Sequence, residues 1–372
     1  MEGRRSPLNA RDRLYLERAY ELAARAIGST SPNPPVGAVL VRDGAVIGEG
    51  YHHRSGAAHA EVEALAQAGS HASGATLYVS LEPCNHHGKT PPCSQAVIAA
   101  GVRRVVFGTL DPNPKTAHGG VETLRAAGIE VCSGDEKRAK KLIEPFTRTI
   151  VQADRPYVSL KMASSIDGFI APVAGVQHWL TGPQSKDFVR DLRIAHDAVV
   201  VGAGTVRVDD PQLTVRPAHD RLRPYTRIVM CETDSVPKDS RIFAKSLGYA
   251  PTLVVAPGGQ RARFASVEAL ADVVYVGDDA QELDIVDSMR ALRQRGIQSV
   301  LCEGGPTLAG RLLALGLVDR FYWLMAPVML GPAAAGVRVL NVPSDTMLPS
   351  ITFDAVEQLG PDLLLSGTVM RV

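Results

Sequence analysis

Strands and helices alternate along nearly the whole chain, and that alternation predicts a two-domain α/β protein. Two further observations support this class. With 372 residues, 45% of them hydrophobic, the chain can bury more than one core. A short polar stretch, Ala153-Asp154-Arg155-Pro156, also separates two alternating series. The expected domains are residues 10–152 and 153–372.

The elements follow in order. Leu14, Leu16, Ala19, Leu22, Ala23 and Ala26 recur near helical spacing, which predicts an amphipathic helix over 12–27. Val36–Val41 and Ala45–Gly50 flank Asp43-Gly44, a two-residue hairpin signal. A helix is expected at 59–68, a strand at 76–81, a helix at 93–100 and a strand at 104–109, then a helix at 120–127 and a strand at 129–132. This part reads as an α/β layer on a largely parallel sheet. The charged run Asp135–Lys141 leads into a further helix. In the second series, strands are expected near 157–162, 198–202, 227–231, 252–256, 273–276, 298–302 and 321–326. Helices near 185–194, 281–294 and 307–315 lie between them.

Composition narrows the function classes. A net charge of +1, with 40 basic and 39 acidic residues and no basic stripe, gives no footprint for nucleic acid. No apolar run reaches the roughly 18 residues of a membrane span. The basic N-terminus has no apolar segment behind it, so no signal peptide is expected. Five cysteines are an odd count and suggest no disulfide framework. Cys132, Cys231 and Cys302 sit in apolar runs and read as small buried hydrophobes. A reducing, cytoplasmic setting is expected.

The chemistry concentrates in His59-Ala60-Glu61, Pro83-Cys84 and Pro92-Cys93. One imidazole and two thiolates can hold Zn²⁺ and leave a fourth position for water, as in the zinc base deaminases. Cys93 is expected to open a helix, where thiolate is favoured. Glu61 is placed to move protons, taking one from the water and passing it to the ring nitrogen and the leaving amine. Eight residues, Asn85–Pro92, separate the two cysteines, where the general deaminase pattern has two. A closed structural zinc with His86 or His87 as fourth ligand is the competing arrangement. Glu61 argues against it, because a structural zinc needs no general base.

In the second half, Gly202-Ala203-Gly204-Thr205-Val206-Arg207 starts like a dinucleotide fingerprint. Arg207 stands at the third glycine position and no acid follows about 20 residues on, so a standard Rossmann site is rejected. Gly304-Gly305-Pro306-Thr307, between a strand and a helix, suits close approach of a phosphate, or equally a mere tight turn.

Taken together, several stretches closely resemble the bifunctional riboflavin-biosynthesis deaminase-reductases. They are Pro32–Gly37, Gly50-Tyr51-His52, Leu81–Cys84, Gly88–Cys93 and Asp111–Pro114, then Leu160–Gly168, Asp209-Asp210-Pro211, Leu213–Arg216 and Glu303–Leu308. The eight-residue separation of the cysteines is that family's version of the deaminase motif. The resemblance implies a cytidine-deaminase-like three-layer domain followed by a dihydrofolate-reductase-like domain. It implies zinc-dependent deamination of 2,5-diamino-6-(5-phosphoribosylamino)pyrimidin-4(3H)-one, then NADPH-dependent reduction of the ribose of the product to a ribityl chain. It places Asn33, His52, His86, Lys89, Asp111 and Asn113 around the deaminase substrate. It places Ala163, Trp179, Thr205, Asp209 and the run Gly305, Pro306, Thr307, Leu308, Ala309, Gly310 and Arg311 around the cofactor. It puts Gln177, Arg193, Leu213, Arg216 and Glu303 at the sugar phosphate, with Arg193 and Arg216 suited as a pair of forks.

Lys161 and Asp167 are candidates for polarising or protonating the reducible sugar. The expected partner is the small phosphoribosylaminopyrimidine, and a homo-oligomer, dimer or tetramer, is expected. Two positions depart from the family pattern. Phe169 stands where a basic or polar residue is usual. Cys231-Glu232-Thr233 replaces an Asp-Ser pair, and a glutamate there opposes the 2′-phosphate of NADP. The alternative is a deaminase-only chain whose C-terminal domain serves assembly or binding.

Overall fold

In the computed structural model the described residues are 8–114, 117–134, 136–176, 178–216, 223, 225–232, 236–244, 250–331, 337–341 and 349–370. The chain divides into two units, Met1–Val151 and Gln152–Val372.

Asp43 and Gly44 take positive φ, 52° and 81°, as a two-residue hairpin requires. They join β1 (Gly37–Arg42) to β2 (Ala45–Tyr51). With β3 (Thr76–Leu81), β4 (Arg104–Thr109) and β5 (Glu130–Ser133) these form a sheet of order β2-β1-β3-β4-β5. The sheet is mixed, contrary to the largely parallel one expected. β1 runs antiparallel to both β2 and β3, and only β3, β4 and β5 are mutually parallel. A two-residue hairpin can return only antiparallel, so the first strand pair had to break the pattern.

Helices cover both faces of this sheet. α1 (Ala10–Arg25) starts at a capping box between Asn9 and Asp12. Its Leu16, Ala19 and Leu22 pack on Val39 and Val41 together with Ala139 of α5 (Glu136–Leu142). Leu14, read as part of that stripe, is 64% exposed. The charged run is itself α5, not a lead-in to it, while its Asp135 lies outside the described residues. α6 (Glu144–Val151) closes the unit. On the opposite face, α2 (Ala60–Ala68), α3 (Cys93–Ala99) and α4 (Gly119–Ala126) bury Ala64, Val97 and Leu124 against Ala38, Leu40 and Val105. Gly50 sets how close α2 comes, since a Cβ there would stand 2.5 Å from the Ala60 carbonyl oxygen. The first turn of α2, carrying Glu61, therefore lies directly on β2.

Among the described residues the second unit holds nine strands: β6 (Tyr157–Ser165), β7 (Ala198–Gly202), β8 (Thr226–Met230), β9 (Thr252–Pro257), β10 (Asp272–Val276), β11 (Ser299–Cys302), β12 (Arg320–Ala326), β13 (Ser350–Leu359) and β14 (Asp362–Met370). Their order is β10-β9-β8-β7-β11-β6-β12-β14-β13. Neighbours are parallel as far as β12; the last two strands return antiparallel. The β13–β14 hairpin was not foreseen.

Ala198-Val199-Val200-Val201 is at most 1% exposed throughout, as a parallel strand covered on both faces must be. One face packs Met289 and Leu292 of α10 (Ile285–Gln294) and Leu312 of α11 (Pro306–Ala314) on Val158, Val200 and Ile228. The other packs Val206 of α8 (Ala203–Asp209) and Phe264 of α9 (Arg261–Phe264) on Val199, Val201 and Val254. α7 (Pro183–Ala195) precedes β7. Of the three other cysteines, Cys231 and Cys302 are buried as expected. Cys132 is only half-buried, on edge strand β5, with its sulfur 3.7 Å from Arg104 Nη2.

The chain moves outward from β7 to β10 and then returns to insert β11 between β7 and β6. Such a reversal opens a crevice at the C-terminal ends of the strands, which is where α/β sheets bind ligands.

Candidate active sites

His59 caps α2 and Cys93 opens α3, so two helix starts converge on the third ligand, Cys84, after β3. His59 Nδ1 lies 2.8 Å from Cys93 Sγ and 3.6 Å from Cys84 Sγ, and the sulfurs are 3.4 Å apart. Tetrahedral zinc with ordinary bond lengths needs its ligand atoms about 3.5–3.8 Å apart. The cluster fits that edge length on one side and is tighter on the other two, slightly between the sulfurs and more between His59 and Cys93. His59 Nε2 meets Thr90 Oγ1 at 3.1 Å, the outer contact that fixes a ligating imidazole. Sequence reasoning missed Thr90, although a hydroxyl between two ligand positions is the signal that could have found it.

The electrostatics suit a metal. Hydrogen bonding from Cys93, helped by His59, holds the Cys84 thiol down to about 4, so Cys84 is a thiolate. The hydrogen bond to Cys84 pushes Cys93 up, because two sulfurs in contact resist a second negative charge. A divalent cation relieves that conflict. Glu61, 3% exposed, is pushed up to about 7 by burial and by the neighbouring Cys84 charge.

A cavity of about 290 Å³ opens beside the cluster. All six residues expected around the deaminase substrate line it: Asn33, His52, His86, Lys89, Asp111 and Asn113. Burial lowers the His52 pKa, so the ring is neutral. Its Nδ1 lies 3.0 Å from the Ala58 carbonyl oxygen and its Nε2 lies 3.1 Å from Asn33 Nδ2. A neutral ring satisfies both contacts by donating at Nδ1 and accepting from the Asn33 amide at Nε2. Lys89 Nζ lies 3.3 Å from Ser55 Oγ at the exposed rim. Phe146 of α6 also lines the cavity and was not foreseen, since nothing local links it to the motif.

The second cleft, about 490 Å³, lies at the strand ends of the nine-stranded sheet. Lys161, Ala163, Trp179, Thr205, Asp209 and Glu303 line it, as do Gly305, Pro306, Thr307 and Leu308 at the start of α11. The remaining expected residues stand elsewhere. Ala309 and Gly310 are buried inside α11. Arg311 pairs with Glu232, which itself lines the cleft, so the departing glutamate meets a cation of its own. Arg193 spends its fork on Glu303, through Nε at 2.5 Å and Nη2 at 2.8 Å, and gives Nη1 to the Thr214 carbonyl oxygen. Arg216, expected beside Arg193 at the sugar phosphate, is exposed beside Gln212. Leu213 is buried with φ 52°. Asp167 holds a turn, accepting from Ser165 Oγ and from the Leu330 and Gly331 amides, and stands outside the cleft lining. Phe169 lies under the Arg338 guanidinium, 5.3 Å from its centre. Gln177 and Thr233 lie outside the described residues.

Burial lowers the Lys161 pKa against the attraction of Glu303. Burial alone would raise Glu303, but Arg193 outweighs it and keeps the carboxylate below its ordinary value. The cleft fits a dinucleotide: a glycine-rich turn before a nine-residue helix faces it, and Lys161 and Glu303, which attract each other, line it as well.

Fold and sites together define a zinc-deaminase region joined to a pyrimidine-reductase-type domain. The family model described as the cytidine and deoxycytidylate deaminase zinc-binding region matches residues 9–109, and the one described as the RibD C-terminal domain matches 156–365. The riboflavin biosynthesis protein RibD of Escherichia coli is 40% identical over 95% of this chain and 98% of its own. That of Aquifex aeolicus is 38% identical over 95% and 97%. The Thermotoga maritima diaminohydroxyphosphoribosylaminopyrimidine deaminase/5-amino-6-(5-phosphoribosylamino)uracil reductase superposes with a TM-score of 0.83 at 35% identity, covering 97% of this chain and 99% of that one. The chain belongs to the RibD family of riboflavin biosynthesis, with a deaminase and a reductase domain. Among the described residues no helix is long and apolar enough to cross a membrane.

Proposed function

We propose that residues 10–152 replace the 2-amino group of 2,5-diamino-6-(5-phosphoribosylamino)pyrimidin-4(3H)-one by oxygen. Residues 153–372 then reduce 5-amino-6-(5-phosphoribosylamino)uracil with NADPH to the ribitylamino product. The observation that carries the first half is the His59–Cys84–Cys93 triangle beside a buried Glu61. Zinc held there supplies a water acidic enough to give hydroxide near neutral pH. Glu61 would take the first proton of that water and give it to the ring nitrogen as oxygen adds to the carbon, then carry the second, released as the new C–OH becomes C=O, to the departing amine, which leaves as ammonia. Neutral His52 accepts an Asn33 amide hydrogen, and so fixes which side of that amide the pyrimidine meets. Asp111 and Asn113 hydrogen-bond the opposite part of the substrate, and Lys89 at the rim takes the phosphate as a point charge.

In the second unit, bound NADPH supplies the hydride. The α11 start, Gly305 to Leu308, receives a cofactor phosphate, and Ala163, Trp179, Thr205 and Asp209 flank it. Lys161 polarises the sugar oxygen at C1′ and gives it a proton, while Glu303 orients the sugar hydroxyls. Arg193 braces Glu303 instead of meeting a phosphate, which leaves Arg216 for that task. The Arg311–Glu232 pair tempers the conflict between Glu232 and a 2′-phosphate.

Membership of the family favours this reading over a deaminase-only chain. A homo-oligomer, dimer or tetramer, is part of the proposal, supported by edge strand β13 with Phe353 and Val356 exposed. So is a cytoplasmic setting, supported by five free cysteines. Mass spectrometry of products from the diaminopyrimidine phosphate tests both activities. Exchange of an amine for oxygen is expected without cofactor, and a gain of two hydrogens only with NADPH. Unchanged substrate in both reactions would sink the proposal.

A further inference from the structure

The deaminase cavity has a second buried glutamate whose chemistry the reaction does not use. Glu82 is 4% exposed, follows β3, and stands one proline before the ligand Cys84. Its carboxylate is held by backbone amides. Oε2 accepts from the Asp111 N–H at 3.2 Å and the His118 N–H at 3.1 Å, and Oε1 accepts from the Val121 N–H at 3.1 Å. Its own N–H donates to the Thr109 carbonyl oxygen at 2.9 Å.

These amides come from two places. Asp111 lies in the loop after β4, where its Oδ1 accepts the Asn113 N–H at 2.9 Å. His118 caps α4 in the left-handed conformation, φ 66°, and Val121 lies in the first turn. Three backbone N–H donors, two of them at a helix start, thus occupy both oxygens of this buried carboxylate. The same junction is tight on its other side, since a Cβ on Gly120 would stand 1.7 Å from the Pro83 carbonyl oxygen. One side chain thus joins the segment that carries Cys84 to the loop that carries Asp111 and Asn113.

We propose that Glu82 is a positioning residue of the deaminase. It lines the cavity, but both of its oxygens are taken by backbone amides, so it acts by setting the distance between the metal ligands and the two substrate-facing residues Asp111 and Asn113. The inference rests on the deaminase reading above. A bare helix cap would stabilise α4 and leave substrate affinity alone, so the two roles separate by measurement.

The test uses full-length, zinc-loaded E82Q and E82A. Glutamine keeps the shape but turns an N–H₂ toward one of the donating amides. Measured together are zinc per chain, deaminase kcat and KM, reductase rate as an internal control of folding, and amide hydrogen exchange in peptides containing Asp111. The expected result for E82Q is unchanged zinc and reductase rate, faster exchange at Asp111, and a KM raised about tenfold or more with a smaller change in kcat. E82A should go further in the same direction. If E82A does not fold, E82Q alone reads the result. An unchanged KM would reduce Glu82 to a helix cap, and zinc lost in step with activity would make it a strut of the metal loop; either overturns the proposal. A wild-type protein that fails to deaminate would overturn the deaminase reading instead, and exchange at Asp111 would still report on Glu82. Unchanged exchange there overturns the positioning role.

Discussion

Glu61 and Glu303 are the same residue type, each buried against its cleft, and burial pushes both carboxyls the same way. They end on opposite sides of the ordinary value. Glu61 sits beside the Cys84 thiolate and rises to about 7, where it can both take and release a proton. Glu303 is gripped by Arg193 and falls, so it stays charged. The partner, not the burial, decides whether a buried carboxylate is a proton carrier or a fixed anion. The clefts differ in the same sense. The deaminase cavity is arranged by metal ligands and backbone amides, and the reductase cleft by a cluster of side-chain charges.

The sharpest test of this contrast is E61Q. It should cut deamination about 10³-fold, since a positioned acid–base group is lost, while zinc content and reduction of pre-deaminated substrate stay unchanged. Loss of both activities in a folded protein would mean that the sites are not independent. The converse experiment makes Glu303 resemble Glu61. R193M removes the cation, so the Glu303 pKa should rise. Reduction should fall about 10²-fold as the carboxylate loses its brace, with deamination unchanged. The sign of the pH effect follows: as the pH is lowered, the variant protonates Glu303 and loses further activity in a range where wild type does not. A pH–rate profile of the same shape in both proteins would sever Glu303 from Arg193. The smallest effect belongs to the rim. K89M should raise the deaminase KM about tenfold and leave kcat alone, and steady-state kinetics with and without added salt would show it. A drop in kcat alone would move Lys89 from binding to chemistry.

The metal site was legible in the sequence because its chemistry is local. A ligand, a base two residues on and two cysteines each behind a proline are visible without a fold. The alternating strands from β6 to β12 were legible because parallel strands buried on both faces read as apolar runs. The β13–β14 hairpin was not. β13 exposes most of its side chains, so polar Asp354, Glu357 and Gln358 interrupt the apolar signal. Pairing direction also escaped, because nothing local says that β1 lies antiparallel to β3. Arg193 shows the harder limit. An arginine's type predicts a phosphate partner well, but whether its fork is already occupied depends on a glutamate 110 positions away.

The eight residues between Cys84 and Cys93 are pinned at both ends by ligand sulfurs and within by Thr90 on His59. An ion that joins the sulfurs turns this segment into a closed ring presenting His86 and Lys89. Ordering the ring carries one entropic cost, borne by whichever of ion and substrate binds first. Reciprocity then links them: bound substrate must strengthen ion retention by the same factor by which the ion strengthens substrate binding.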